Sequence, residues 1–210
     1  MSTTNTKPRR GRPPKIARDK QDTKAELIRS GLEQLTEYGF ASSGIDQILK
    51  KVGVPKGSFY YYFASKEAFG RELINSYHQY FINKLDSYLL DETFPPLARL
   101  SNFVEDAKNG MSRHDFRRGC LVGNLGQEVD LLPETFRQQL IDIFLSWQER
   151  VASCLKLAQE TNTLSPNADC DAIAEQFWIG WEGAVSRAKL IQSSSPLDKY
   201  LAYFLEQLPQ

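Results

Sequence analysis

The sequence predicts an all-α protein in two helical parts. Three observations carry this. Apolar residues recur at three- and four-residue spacing through most of the 210 residues. No stretch shows the strict alternation that a half-buried strand requires. Prolines and glycines mark the breaks between the periodic segments.

The elements follow in order. Residues 1–18 hold Lys7, Arg9, Arg10, Arg12, Lys15 and Arg18, no acid, and Pro8, Gly11, Pro13 and Pro14. Without an apolar period they read as a flexible basic arm. In the next segment Leu27, Ile28, Leu32, Leu35 and Tyr38 share one helical stripe, and Gly39 ends it. Ile45, Ile48, Leu49 and Val52 then form a short amphipathic helix. Ser43 and Asp46 have the spacing of a capping pair, and Gly53 breaks the helix. Pro55 suits the first turn of a third helix, where a missing N–H costs nothing. Two short helices joined by a glycine-containing turn predict a helix-turn-helix, with the first helix as the third wall of its core. A long amphipathic helix follows, with Phe69, Leu73, Tyr77, Tyr80, Phe81, Leu85, Tyr88 and Leu89 on its stripe. Further helices are expected near 95–109, from about 133 to 159, from about 169 to 191, and over 197–208. The chain is expected to divide into the arm, a small helix-turn-helix unit over 19–66, and a larger helical unit over 67–210.

Composition narrows the function. Lys+Arg and Asp+Glu are equal at 26 each. Residues 1–63 nevertheless carry twelve basic and six acidic residues, and the remainder fourteen and twenty. A polyanion partner for the front end is expected. No apolar run is long enough for a membrane span or placed as a secretory signal, so a cytoplasmic protein is expected. Cys120, Cys154 and Cys170 fit neither a disulfide framework nor a zinc cluster, and no metal or cofactor is expected. His78 and His114 lie far apart, and no nucleotide fingerprint or nucleophile elbow is present, which argues against an enzyme.

The stretch VPKGSFYYYF, residues 54–63, splits on a helix. Phe59, Tyr62 and Phe63 face the core. Lys56, Tyr60 and Tyr61 face outward, at a helix start that favours phosphate. Gly57 lets a backbone come close. Thr36 and Ser42 to Gly44 are expected to approach the DNA backbone as well.

GIDQILKKVGVPKGSFYYYFASKEAF resembles the DNA-binding region of TetR-type transcriptional regulators, carried by Gly57, Phe59, Tyr60, Tyr62, Phe63 and the following Ser65, Lys66 and Glu67. The resemblance implies that the helix after Pro55 enters the major groove. Lys56 and Tyr60 would hold phosphates, and Ser58 and Tyr61 would face bases. Ser43, Gly44, Pro55, Gly57 and Lys66 complete the implied DNA-contacting set. Tyr61 stands where close relatives often have histidine, which bears on operator preference. Arg10-Gly11-Arg12-Pro13 resembles the core of AT-hooks, so Arg9, Arg10 and Arg12 are expected in a minor groove, unless the arm only aids solubility.

Matching a two-fold operator requires a homodimer, expected through the helices at about 134–159 and 169–191. FRRGCLVGNLGQE, with FWIGWEGA and RAKL, resembles a narrower group: TetR-type repressors responsive to acrylate or acryloyl-CoA, and related electrophile-responsive ones. That implies a small-molecule effector and makes Cys120 the reacting residue, with Arg117 and Arg118 lowering its pKa; a buried, inert thiol is the alternative. Cys120, Asn124 and Gln127 or Glu128 share a helical face that can border a cavity, or serve only tight helix packing and caps. Trp178, Trp181 and Glu182 offer a second wall, or plain core packing. A DNA-binding architectural protein without an effector is the rival reading.

Overall fold

Helix α1 (Lys20–Tyr38) forms where Leu27 and Leu35 can be buried on one stripe. The computed structural model describes residues 20–210 of the chain, so Arg9, Arg10, Arg12 and the rest of the arm lie outside it. Helices α2 (Ile45–Val52) and α3 (Lys56–Tyr62) follow, and Gly53 turns the chain between them. Its φ of 71° is a left-handed value that glycine adopts at little cost. Its N–H donates to the Leu49 carbonyl at 2.8 Å, closing α2. Ile48, Leu49, Phe59 and Phe63 are buried against α1 and against Phe69 at the start of α4 (Lys66–Leu89). Phe59 is wholly buried, and its ring lies 5.3 Å from Phe63 and 5.1 Å from Phe69.

The remainder is a helical bundle: α5 (Pro96–Ser112), α6 (Leu121–Gln127), α7 (Glu134–Glu160), α8 (Cys170–Ile191) and α9 (Ser195–Glu206). A 3₁₀ turn, Val129–Leu131, precedes α7. Among the described residues there is no strand. α4 packs on α1 near its start, on α7 along its length and on α5 toward its end, so both parts share one continuous core. Its centre is aromatic: Phe81, Phe103, Trp147, Phe177, Trp178 and Trp181.

Several local expectations are corrected. Ser43 does not cap α2. Gly44 is the N-cap residue with no side-chain bond, and the buried Ser43 hydroxyl donates to the Gly39 carbonyl instead. Pro55 precedes α3 as its N-cap residue rather than lying within the first turn. Tyr38 and Tyr80, read as stripe residues, are exposed, because their faces turn away from the shared core. Cys120 is the N-cap residue of α6 rather than part of its face.

Candidate nucleic-acid interface and effector cavity

The outer side of α3 presents Lys56, Gly57, Tyr60 and Tyr61 to solvent, with Pro55 exposed and Ser58 half-buried beside them. Tyr60 is 50% and Tyr61 65% exposed, next to a Phe59 at 0%. Packing has sorted adjacent aromatics into core and surface. Gly44 is exposed at the start of α2. Three other residues expected on DNA are turned inward. Ser43 is committed to Gly39, and Thr36 is buried with its hydroxyl on the Leu32 carbonyl at 2.8 Å. Lys66 points its ammonium at the Phe40 carbonyl, 3.1 Å away, and lies over the Phe40 ring. Burial lowers the Lys66 pKa, and nearby Glu128 partly restores it.

A cavity of about 600 Å³ opens between the two parts of the chain. α1 supplies one wall with Ile28, Arg29, Leu32, Glu33 and Thr36; α4, α5 and the end of α8 supply the others. Exposed Arg29, Tyr80, Arg113 and His114 lie at its mouth, while Phe81, Met111, Cys120, Trp181 and Val185 form a buried floor. Lys84 and Arg118 add positive charge to the wall; Glu33 is the carboxylate there. Sequence reasoning placed the effector site within the larger unit alone, and the α1 wall escaped it because no local pattern reports which distant helix covers a groove.

Of the residues expected at this site, Cys120 and Trp181 line the cavity. Trp178 does not. It is 1% exposed, and its ring lies 5.1 Å from Trp147 in the core. Arg117 is exposed and outside the lining, and Arg118 reaches in instead. Arg118 sits 3.8 Å from Glu33 and 3.9 Å from Glu37, so its charge is directed there. The expected lowering of the Cys120 pKa is reversed: burial, then the charge of Glu182, push the thiol well above its ordinary range. Tyr77, read as an apolar stripe residue, lines the cavity together with Cys120. The approach is unusual for its backbone: Asp115 and Phe116 have φ of 51° and 54°, left-handed values that cost a non-glycine residue about 1 kcal/mol or more each.

Asn124 and Glu128 serve a joint, not the cavity. The last carbonyls of α1 have no partners within the helix. The Thr36 carbonyl accepts from Gly119 N at 3.2 Å and Asn124 Nδ2 at 2.9 Å, and the Glu37 carbonyl accepts from Lys189 Nζ at 2.8 Å. Just beyond, Glu128 Oε2 accepts from the N–H groups of Phe40 at 3.0 Å and Ala41 at 2.9 Å. Gly39, at φ 78°, leaves room for that carboxylate, since a Cβ there would collide with Glu128. The strip from Gly119 to Glu128 therefore lines the cavity at Gly119 and Cys120 and grips the end of α1 at Gly119, Asn124 and Glu128.

Exposed apolar side chains lie on α7 (Ile141, Leu145), α8 (Ile179, Leu190, Ile191) and α9 (Tyr203). The apolar face extends past the two helices expected from sequence to include α9. No described helix is long and apolar enough to cross a membrane.

A helix-turn-helix with an exposed reading face, joined through a shared helix to a bundle and an interdomain cavity, defines a ligand-responsive DNA-binding regulator. The family comparisons agree. Residues 27–73 match the model for bacterial regulatory proteins of the tetR family, and residues 96–204 match the tetracyclin repressor-like C-terminal domain. The chain is 52% identical over 198 residues to the transcriptional regulator AcuR of Cereibacter sphaeroides, covering 94% of this chain and 90% of that one. The crystal structure of a regulatory protein TetR from Rhodobacter sphaeroides superposes with a TM-score of 0.87 at 51% identity, over 89% of this chain and 98% of that one. The reduced form of Escherichia coli NemR superposes with a TM-score of 0.81 at 28% identity, over 89% and 97%. The chain belongs to the TetR family of transcriptional regulators. It is a sequence-specific DNA-binding repressor of the AcuR type and a transcription factor rather than an enzyme.

Proposed function

We propose that this repressor leaves its operator when a small α,β-unsaturated acyl compound, of the acrylate or acryloyl-CoA class, enters the cavity between α1 and the bundle and meets Cys120. The observation that carries the reading is the composition of the cavity wall: α1 of the DNA-binding unit on one side, Cys120 in the floor. An occupant thus touches both parts, and its contacts differ between the two relative placements of those parts. Such a difference is what a ligand needs to shift an equilibrium. Arg29 and Arg113, exposed at the cavity mouth, suit an anionic group, a carboxylate or the phosphates of coenzyme A. An architectural role without an effector leaves such a cavity unexplained.

The test is titration of acrylate and of an acryloyl thioester into the repressor–operator complex, with wild type, Cys120→Ser and Arg113→Ala. Wild type is expected to release DNA. Arg113→Ala should need on the order of tenfold more ligand, the loss of one charge-assisted contact. Undiminished operator binding by wild type at saturating levels of both compounds sinks the reading.

For the DNA face, the reading set is Lys56, Gly57, Ser58, Tyr60 and Tyr61 with Gly44, Pro55 and the arm arginines Arg9, Arg10 and Arg12. Lys56 is exposed at the start of α3, placed for a phosphate. Lys56→Ala is expected to weaken binding to all sequences alike and to reduce the slope of log affinity against log salt by about 1. Fluorescence anisotropy across a salt series measures this; an unchanged slope removes Lys56 from the interface.

A further inference from the structure

Behind the cavity floor at Cys120 and Tyr77 lies a carboxylate, Glu182, that does not line the cavity and that the effector reading does not use. Cys120 Sγ accepts from the Gly123 N–H at 3.4 Å, and Tyr77 lines the cavity with it. Glu182, from α8, faces the same thiol. Its carboxylate reaches this position because residue 123 is glycine; a Cβ there would collide with Glu182 Oε2. The residue is half-buried, but its Oε1 is wholly buried and has no hydrogen-bond partner. Sulfur thus has one backbone donor, and Glu182 is the carboxylate beside it. On its far side Glu182 borders a second cavity of about 370 Å³, together with Gln127, Ser186 and Arg187.

We propose that Glu182 is the proton carrier for thioether formation at Cys120, taking the thiol proton as sulfur attacks an α,β-unsaturated carbonyl compound and returning it to the product. The proposal rests on the reading of Cys120 as the reacting residue. As the S–Cβ bond forms, the π pair of the C=C bond moves to the carbonyl oxygen as an enolate, and Glu182 holds the proton. The enolate then collapses and Cα takes that proton from Glu182. Nothing is oxidised or reduced, and Glu182 ends in the state in which it began.

The physical need for such a carrier is plain. Burial and the neighbouring carboxylate disfavour a free Cys120 thiolate, and Arg118 is turned to Glu33 and Glu37. A base in contact with the S–H lets proton loss and bond formation proceed together, so no buried thiolate accumulates. Burial pushes the Glu182 carboxyl up to about 7, opposed by the S–H it accepts, which places a base of suitable strength near neutrality. The groups facing it are Cys120 ahead of α6, Tyr77 from α4 and Arg187 on its own helix; α7 contributes Phe144 and α6 Gln127, neither of which titrates. The sign follows: the reactive form has Glu182 ionised, so the rate climbs as pH approaches 7 and flattens above it.

The experiment uses the full-length protein and methyl acrylate. Intact mass and peptide mapping follow adduct formation at Cys120 in wild type and Glu182→Gln from about pH 5.5 to about pH 9. The expected wild-type profile flattens above about pH 7, and Glu182→Gln is slower by on the order of 10²-fold and has no inflection there. A Glu182→Gln rate within about twofold of wild type, or a wild-type rate still climbing tenfold per pH unit at about pH 9, overturns the proposal. Where Glu182→Gln loses its helical circular dichroism, the wild-type profile alone decides between these outcomes. No Cys120 adduct in wild type overturns this proposal and the reading of Cys120 as the reacting residue, whereas operator release by a non-covalent occupant is decided by the titration above. An adduct that forms without regard to Glu182 overturns this one only.

Discussion

Phe59→Ala is expected to cost about 3–5 kcal/mol, the usual range for removing a buried phenylalanine ring, and with it most operator binding at physiological temperature. Phe59 is 0% exposed, and its ring meets Phe63 and Phe69 edge-on or tilted. It ties α3 to the start of α4, so the cavity left behind separates the reading helix from the lever that carries it. The unit formed by α1 to α3 is small, and a loss of this size is a large share of a domain's net stability. Tyr61→Ala, two residues on and 65% exposed, should change stability by no more than about 0.5 kcal/mol while altering operator preference. Chemical denaturation of both variants measures the contrast; similar midpoints would show that the aromatic cluster is not divided as described.

Glu128→Ala should cost about 2–4 kcal/mol and uncouple the two parts of the chain. One carboxylate oxygen accepts both the Phe40 and Ala41 N–H groups. The same charge supports Lys66 and Lys189, whose pKa values burial lowers. Removing it leaves two backbone donors without their acceptor and two half-buried ammonium groups without that counter-charge. Amide exchange at Phe40 and Ala41 should speed up on the order of tenfold or more. Operator affinity should fall, and any effector should lower it less than in wild type. If exchange at those amides and the effector response both match wild type, the joint is not the coupling element.

The helical period made the fold legible. Helix-forming stripes, capping glycines and the turn at Gly53 are local signals, and the expected helices agree with α1 to α5 and α7 to α9 within a few residues. The sorting of VPKGSFYYYF was equally local, since Phe59 and Phe63 at four-residue spacing had to share a face that Lys56 and Tyr60 did not. Failures came wherever a residue's partner lies far along the chain. Glu128 and Asn124 looked like a cavity wall by spacing, yet each reaches back 87 or 88 residues to the end of α1. Lys66 looked like a DNA contact and turned inward to Phe40. Trp178 and Trp181, three residues apart, divided between core and cavity floor. The arginines beside Cys120 promised an activated thiol. Arg118 found two glutamates on α1, and the carboxylate of Glu182 arrived from 62 residues away in the sequence.

By itself, then, the order of residues determined the helices and the exposed outer face of α3. Tertiary structure alone decided that α1 walls the cavity, that Glu128 clasps its end, and that Cys120 faces a carboxylate rather than a guanidinium. Backbone periodicity is set within a few residues, whereas the burial and charge around a polar side chain depend on which distant segments the shared core brings against it.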